Sequence, residues 1–229
     1  MASIAVKLQQ VRERIAVACA AAQRPVQSVT LLAVSKTFGA DAVRQAYAAG
    51  QSAFGENYVQ EALAKIEALA EFRPAIEWHL IGPLQSNKTR EVAAGFDWVQ
   101  SIDRLKVAER LSAQRPASLP PLQVCLQVNV SGEPSKSGVA PAELPALAHA
   151  VAALPNLRLR GLMAIPAPTP DMAQQRAPHR ALRELFERLR SGGLALDTLS
   201  MGMSDDLEAA IAEGSTLVRI GSAIFGTRG

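Results

Sequence analysis

Lys36 stands where a lysine is unusual. It follows directly on residues 29–35, VTLLAVS, a run of apolar and β-branched residues. Such a run reads as a strand buried on both faces, the kind found in parallel sheets. The stem of Lys36 then passes along apolar wall and its amine stands at the mouth. Many lysines so placed only snorkel to water. A neutral lysine amine also forms a reversible imine with an aldehyde or ketone. A second constellation lies near the C-terminus. Ser204 stands where a helix is expected to begin, so its hydroxyl and the nearby amides could face an anion. Arg219, near the end of the last apolar run, adds a permanent positive charge. Gly221 and Ser222 follow with backbone N–H groups and no bulky side chain in the way. Ser204 alone is an ordinary helix cap and Gly221 alone a turn. Together the two loops describe an anion cup.

The elements that must position these residues follow from the apolar periodicity. An amphipathic helix is expected first, with Ile4, Leu8, Val11, Ile15, Ala18 and Ala22 on one face. Strands are then expected at 29–35, around Ala53 and Phe54, and at 76–81, 98–102, 122–130, 158–165, 196–200 and 216–220. Helices are expected between them at 41–49, 58–70, 88–94, from a cap at Asp103 to about Gln114, at 143–153, from Asp171 to before Gly192, and at 205–212. Strands alternating with helices argue for parallel βα units. Eight such units in 229 residues predict an α/β fold, a (β/α)8 TIM barrel. It is expected to be a single domain over residues 1–229 with one extra N-terminal helix. The rival, a doubly wound open sheet, usually carries a Gly-rich first turn, and the chain has neither GxGxxG nor GxxxxGK[ST]. In a barrel, the loops after strands seven and eight are a common phosphate site. Those loops hold Ser204, Gly221 and Ser222. A lysine facing that cup suits a ligand with both a carbonyl and a phosphate. Pyridoxal 5′-phosphate has both. A sugar phosphate cleaved through a lysine imine is the alternative.

Composition narrows the classes. There are 24 basic and 21 acidic residues, a net charge of only +3, and aromatics make up 4%. A nucleic-acid groove needs clustered cations and stacking rings, so no nucleic acid is expected as partner. No run approaches the ~20 apolar residues of a membrane span, so no membrane partner is expected. Lys7, Arg12 and Arg14 before an apolar stretch faintly suggest a signal peptide, but the helical spacing favours an amphipathic helix and a cytoplasmic protein. Cys19 and Cys125 are far apart and read as buried free thiols. His79, His149 and His179 show no metal-ligand spacing, so no metal site is expected. A closed sheet has no edge to pair, which favours a monomer.

Seven motifs resemble one family. They are LLAVSKT (31–37), FGENYVQEA (54–62), WHLIGPLQSNK (78–88), VNVSGEPSKSG (128–138), GLMAI (161–165), LSMGMSDDLEAAI (199–211) and VRIGSAIFG (218–226). In this order they resemble the pyridoxal phosphate homeostasis proteins, also called the YggS or PROSC family, over nearly the whole chain. That family is similar to the barrel domain of alanine racemase without its second domain. The resemblance implies that Lys36 carries pyridoxal 5′-phosphate as a Schiff base. It implies that Ser204, Gly221 and Ser222 hold the phosphate, and that Arg219 reaches the ring nitrogen, the phosphate or both. Asn57 would lie beside the ring, and Ser200 and Met201 would line the pocket. Lys136 would offer a second amine for release. Ser222 stands where threonine is common and keeps the hydroxyl.

A carrier rather than a catalyst is the resulting expectation, with apo-enzymes that need the cofactor as possible recipients and no catalytic residues. An arginine at the ring nitrogen keeps that nitrogen unprotonated, whereas an electron sink works best with a protonated one. A racemase also needs an acid/base on the opposite face. The chain ends at Gly229, soon after strand eight, so no further domain is expected to supply it. Of the two tyrosines, Tyr58 is expected to start a helix and pack. The rivals are a pyridoxal-phosphate-dependent, racemase-like amino-acid enzyme with Lys36 as one base, and a cofactor-free scaffold.

Overall fold

The computed structural model describes residues 2–132 and 137–226. Eight parallel strands close into a barrel in chain order: β1 (Thr30–Val34), β2 (Ala53–Glu56), β3 (Glu77–Leu80), β4 (Trp98–Ile102), β5 (Leu122–Gln127), β6 (Leu157–Met163), β7 (Thr198–Ser200) and β8 (Leu217–Ile220). β8 pairs back on β1, with Thr30 opposite Leu217 and Ala33 opposite Ile220. β2, β4 and β8 are buried at every position. Apolar residues dominate them accordingly, and Glu56, Gln100, Ser101 and Arg219 are the buried polar exceptions. Across β2 and β3, Phe54 and Trp78 pack with ring centroids 5.8 Å apart.

Helices ring the barrel: α1 (Ile4–Ala21), α2 (Ala40–Ala48), α3 (Val59–Ala68), α4 (Thr89–Gly95), α5 (Leu105–Gln114), α6 (Leu144–Ala152), α7 (Met172–Ser191), α8 (Leu207–Ala212) and α9 (Ser222–Phe225). The extra helix α1 is held by Ser3, whose side chain accepts from the Val6 N–H at 3.3 Å. It buries Leu8, Val11, Ile15, Ala18 and Cys19 against the barrel's outer layer, where it meets α8, α9 and α2.

The differences from the expected elements lie at their ends. Helix α5 starts at Leu105 behind Arg104, and Asp103 does not cap it; its carboxylate pairs with Arg104 at 2.8 Å instead. Helix α8 starts at Leu207 behind Asp206, so Ser204 is not at its start but on the turn before it. β5 ends at Gln127, and beyond it Val128 bridges to Val139. The four-residue α9 follows β8 at once and was not expected. Lys136 lies outside the described residues. Cys19 and Cys125 are both free and buried, and burial pushes the Cys125 thiol up to about 12, which makes it inert. Among the described residues, no helix is long and apolar enough to cross a membrane, and no group of three His, Cys, Asp or Glu is placed to hold a metal.

Candidate cofactor site

The eight described residues singled out in the sequence belong to four strands that are neighbours around the barrel, β7, β8, β1 and β2, and to the loops after them. All stand at or beyond the C-terminal ends of those strands, except Arg219 and Ser200, which are in β8 and β7 themselves. Lys36 is two residues past the end of β1 and half-buried. Asn57 follows β2 directly and is half-buried, and its Oδ1 is buried without a hydrogen-bond partner among the described residues. Gly82 explains why Asn57 stays in place: a Cβ at 82 would lie 2.3 Å from the Asn57 carbonyl oxygen, so only glycine permits the approach.

Arg219 is the deepest charge at this end, 4% exposed. Its Nη1 donates to Ser200 Oγ at 2.7 Å and its Nη2 to the Ala164 carbonyl at 2.8 Å. Among the described residues no carboxylate forms an ion pair with it. Burial lowers its pKa to about 10, and Asp206 opposes that through space. A guanidinium has five N–H donors, and only two of these contacts are made. Buried charges are normally paired, because taking an ion out of water costs several kcal/mol (about 20 in the idealised limit). Arg219 therefore fits a ligand that carries an acceptor or negative charge, and the orphaned Asn57 Oδ1 fits a ligand that also offers a hydrogen-bond donor. Ser200 is wholly buried beneath Arg219, and Met201 is wholly buried in the main core.

The rim beside Arg219 joins the two expected loops. Ser222 Oγ donates to Ser204 Oγ at 3.2 Å, so the hydroxyls stand together, with Gly221 alongside. The turn under Ser204 is fixed by Asp206, whose Oδ1 accepts from the Met203 N–H at 2.6 Å. Its Oδ2 faces His179 Nε2 at 3.0 Å. Burial alone would raise the Asp206 carboxyl, but the His179 contact and the Met203 amide outweigh it and hold it below the usual range. Gly202 turns the chain here with φ +97°, and its carbonyl accepts from the Arg219 N–H at 2.9 Å. Ser204 and Ser222 are thus brought together by a tight turn and the start of α9, not by the start of α8.

One group at this site was not legible in the sequence. Lys65 of α3 reaches inward to 5% exposure. Its Nζ donates to the Ser35 carbonyl at 2.7 Å, to Glu56 Oε1 at 2.7 Å and to Glu61 Oε1 at 2.6 Å. Ser35 Oγ donates to Glu56 Oε1 at 2.6 Å, and the Thr37 N–H to Glu61 Oε1 at 2.5 Å. The peptides on either side of Lys36 are therefore both tied to this cluster. It also holds Thr37 at φ +68°, a left-handed conformation that a threonine rarely adopts. Burial raises the Glu56 carboxyl even against Lys65. The only sequence signal was Glu56 itself, an acid ending a buried strand. Tyr58 behaves differently from the expectation: it precedes α3 but is 53% exposed and does not pack. Tyr47 packs on Phe72 at 4.8 Å.

Known proteins match this arrangement from end to end. The alanine racemase N-terminal domain family matches residues 6–229. The pyridoxal phosphate homeostasis protein of Pseudomonas aeruginosa is 63% identical over 100% of this chain and 97% of its own. That of Escherichia coli K12 is 56% identical over 100% of this chain and 98% of its own. PipY of Synechococcus elongatus PCC7942, solved with PLP bound, superposes with a TM-score of 0.86 at 40% identity, covering 98% of this chain and 100% of that one. A barrel of this topology, matched over its full length by these relatives, belongs to the pyridoxal phosphate homeostasis proteins within the alanine racemase N-terminal domain family.

Proposed function

We propose that this protein binds pyridoxal 5′-phosphate on Lys36 and serves as a reversible store and donor of it. The observation that carries the reading is Arg219: a buried guanidinium with no carboxylate partner among the described residues, at the same barrel end as Lys36. The relatives named for pyridoxal phosphate homeostasis and the PLP-bound PipY structure support it. The Lys36 amine would condense with the aldehyde to a Schiff base, releasing one water, and water reverses the bond. When bound, the cofactor supplies an electron-accepting ring. Ser204, Gly221 and Ser222 would hold the phosphate. Arg219, held by Ser200, would face the ring or the phosphate. Asn57 would offer its free Oδ1 beside the ring, and Met201 would close the floor. The cluster around Lys65 would keep the Lys36 backbone fixed. The chain is taken as one cytoplasmic barrel domain, monomeric because its sheet has no edge.

The arrangement suits holding better than catalysis. Arg219 donates hydrogen bonds and cannot play the carboxylate that keeps a ring nitrogen protonated. The exposed Tyr58 and the packed Tyr47 leave neither tyrosine fixed at the site as a second acid/base. The match to the alanine racemase domain favours one other reading, a racemase-like enzyme with Lys36 as base. The test uses protein loaded with pyridoxal 5′-phosphate and freed of excess. It should activate an apo-enzyme that needs the cofactor and should not interconvert D- and L-amino acids. No activation, or racemisation that vanishes in Lys36→Ala, would overturn the carrier reading.

A further inference from the structure

A barrel interior is ordinarily filled with branched apolar side chains. Here a line of polar ones runs through it. Arg219 Nη1 donates to Ser200 Oγ at 2.7 Å. Ser200 Oγ donates in turn to Gln100 Oε1. Gln100 Nε2 faces His79 Nδ1 at 2.9 Å, and His79 Nε2 faces Glu77 Oε1 at 2.8 Å. The residues come from β8, β7, β4 and β3, so the line crosses the barrel from one wall to the other. Gln100 and Ser200 are wholly buried, and His79 is 1% exposed. Glu77, at the opposite end of the barrel from Lys36, is 48% exposed.

One set of bond directions satisfies every member of this line. A guanidinium only donates, so Ser200 Oγ accepts from it and has one proton left to give. That proton goes to Gln100, whose carbonyl oxygen must face it. The Gln100 amide N–H then donates to His79, so Nδ1 is bare and the ring proton sits on Nε2. That proton goes to the Glu77 carboxylate, an acceptor at the far end. Bonds aligned in this way polarise one another, and one reversed member breaks the pattern for all. Buried polar side chains are costly unless fully satisfied. Apolar residues would fill this space without that cost.

We propose that Gln100 is a positioning residue for the cofactor. It fixes the Ser200 hydroxyl and through it the Arg219 guanidinium, and His79 and Glu77 set its own orientation from the other mouth. The proposal rests on the reading that Arg219 faces the bound cofactor. Its consequence is that the lower mouth of the barrel, far from Lys36, tunes how the cofactor is held.

The test titrates pyridoxal 5′-phosphate into the wild type, Gln100→Leu, Glu77→Gln and Arg219→Gln, reading affinity, the absorbance band of the bound cofactor and the ring 15N resonances of His79. The unloaded wild type should show a bare Nδ1 and a protonated Nε2, and loading should shift both resonances. Gln100→Leu should lose about tenfold in affinity. Glu77→Gln keeps an acceptor for His79 at a half-exposed position and changes only the charge. It should lose less than about threefold and still move the absorbance band, which a purely structural role would leave unchanged. It also keeps the test alive if Gln100→Leu fails to fold. A Glu77→Gln band superimposable on the wild type, with His79 resonances unmoved by loading, would overturn the proposal. If that happens while Arg219→Gln loses affinity, the inference alone fails. If Arg219→Gln binds as well as wild type, the reading of the site fails with it.

Discussion

The two ends of the barrel treat their cations differently. At the lower end, where the strands begin, arginines have partners. Arg73 pairs with Asp97 at 2.9 Å, and Arg160 pairs with Asp197 at 2.7 Å while lying 4.8 Å over the Trp98 ring. Arg115, 6% exposed, is wrapped by the carbonyls of Ala93, Phe96 and Pro120 at 2.7–2.9 Å. At the upper end, Lys65 is matched by two carboxylates, but Arg219 has a hydroxyl and one carbonyl. A cation whose partners all come from the protein holds the fold. One left short of acceptors in the same dielectric is held for something that arrives later.

The sharpest way to break this contrast is at Lys36. Lys36→Ala should abolish covalent capture of the cofactor altogether while leaving unfolding in urea within about 0.5 kcal/mol of wild type, because the residue is half-buried and its side chain makes no hydrogen bond or ion pair among the described residues. The next largest effect should come from a cation with partners. Lys65→Met leaves the buried Glu56 carboxylate unpaired beside the half-buried Glu61, and a broken buried pair costs about 3–5 kcal/mol, read as a lower urea midpoint. Arg219→Gln should do the reverse. Cofactor affinity should fall by about 1.5–3 kcal/mol, the range for hydrogen bonds to a charged group, while the unloaded protein keeps or gains thermal stability. Equal destabilisation by Lys65→Met and Arg219→Gln would erase the distinction.

Two smaller effects sharpen it. The Asp206 carboxyl is held below its ordinary value by His179 and the Met203 amide despite burial. A depressed folded pKa contributes stability that is complete above the unfolded value of about 3.9 and is lost as pH falls through the folded one. Asp206→Asn should therefore lower the melting temperature at neutral pH, by about 1 kcal/mol of stability, and the gap to wild type should close in acid. A gap that persists at the lowest pH would remove the electrostatic explanation. Arg73→Ala, at a part-exposed lower pair, should cost no more than about 1 kcal/mol and leave cofactor affinity unchanged.

The strands were readable because a parallel strand buried on both faces is a near-continuous apolar run, as in VTLLAVS before Lys36. Lys36, Arg219, Gly221 and Ser222 were readable for the same reason: they interrupt or end such runs. The helix starts were less readable. Asp103 and Ser204 are both good capping types, yet Arg104 and Asp206 take the positions, because the strand ends decide where the chain can turn. Lys65 was hidden because a lysine in an amphipathic helix reads as solvated, and only the fold shows that it bends in under Ser35. Gln100 and His79 were hidden because nothing local tells a strand residue that faces the barrel interior from one that faces the helices. Their line becomes visible only when β4 and β7 are set across from each other.

The most direct measurement is borohydride reduction of the protein loaded with pyridoxal 5′-phosphate, followed by peptide mapping. An imine absorbance band should disappear on reduction and leave a pyridoxyl label on the peptide carrying Lys36. A label spread over surface lysines, or no band at all, would contradict it.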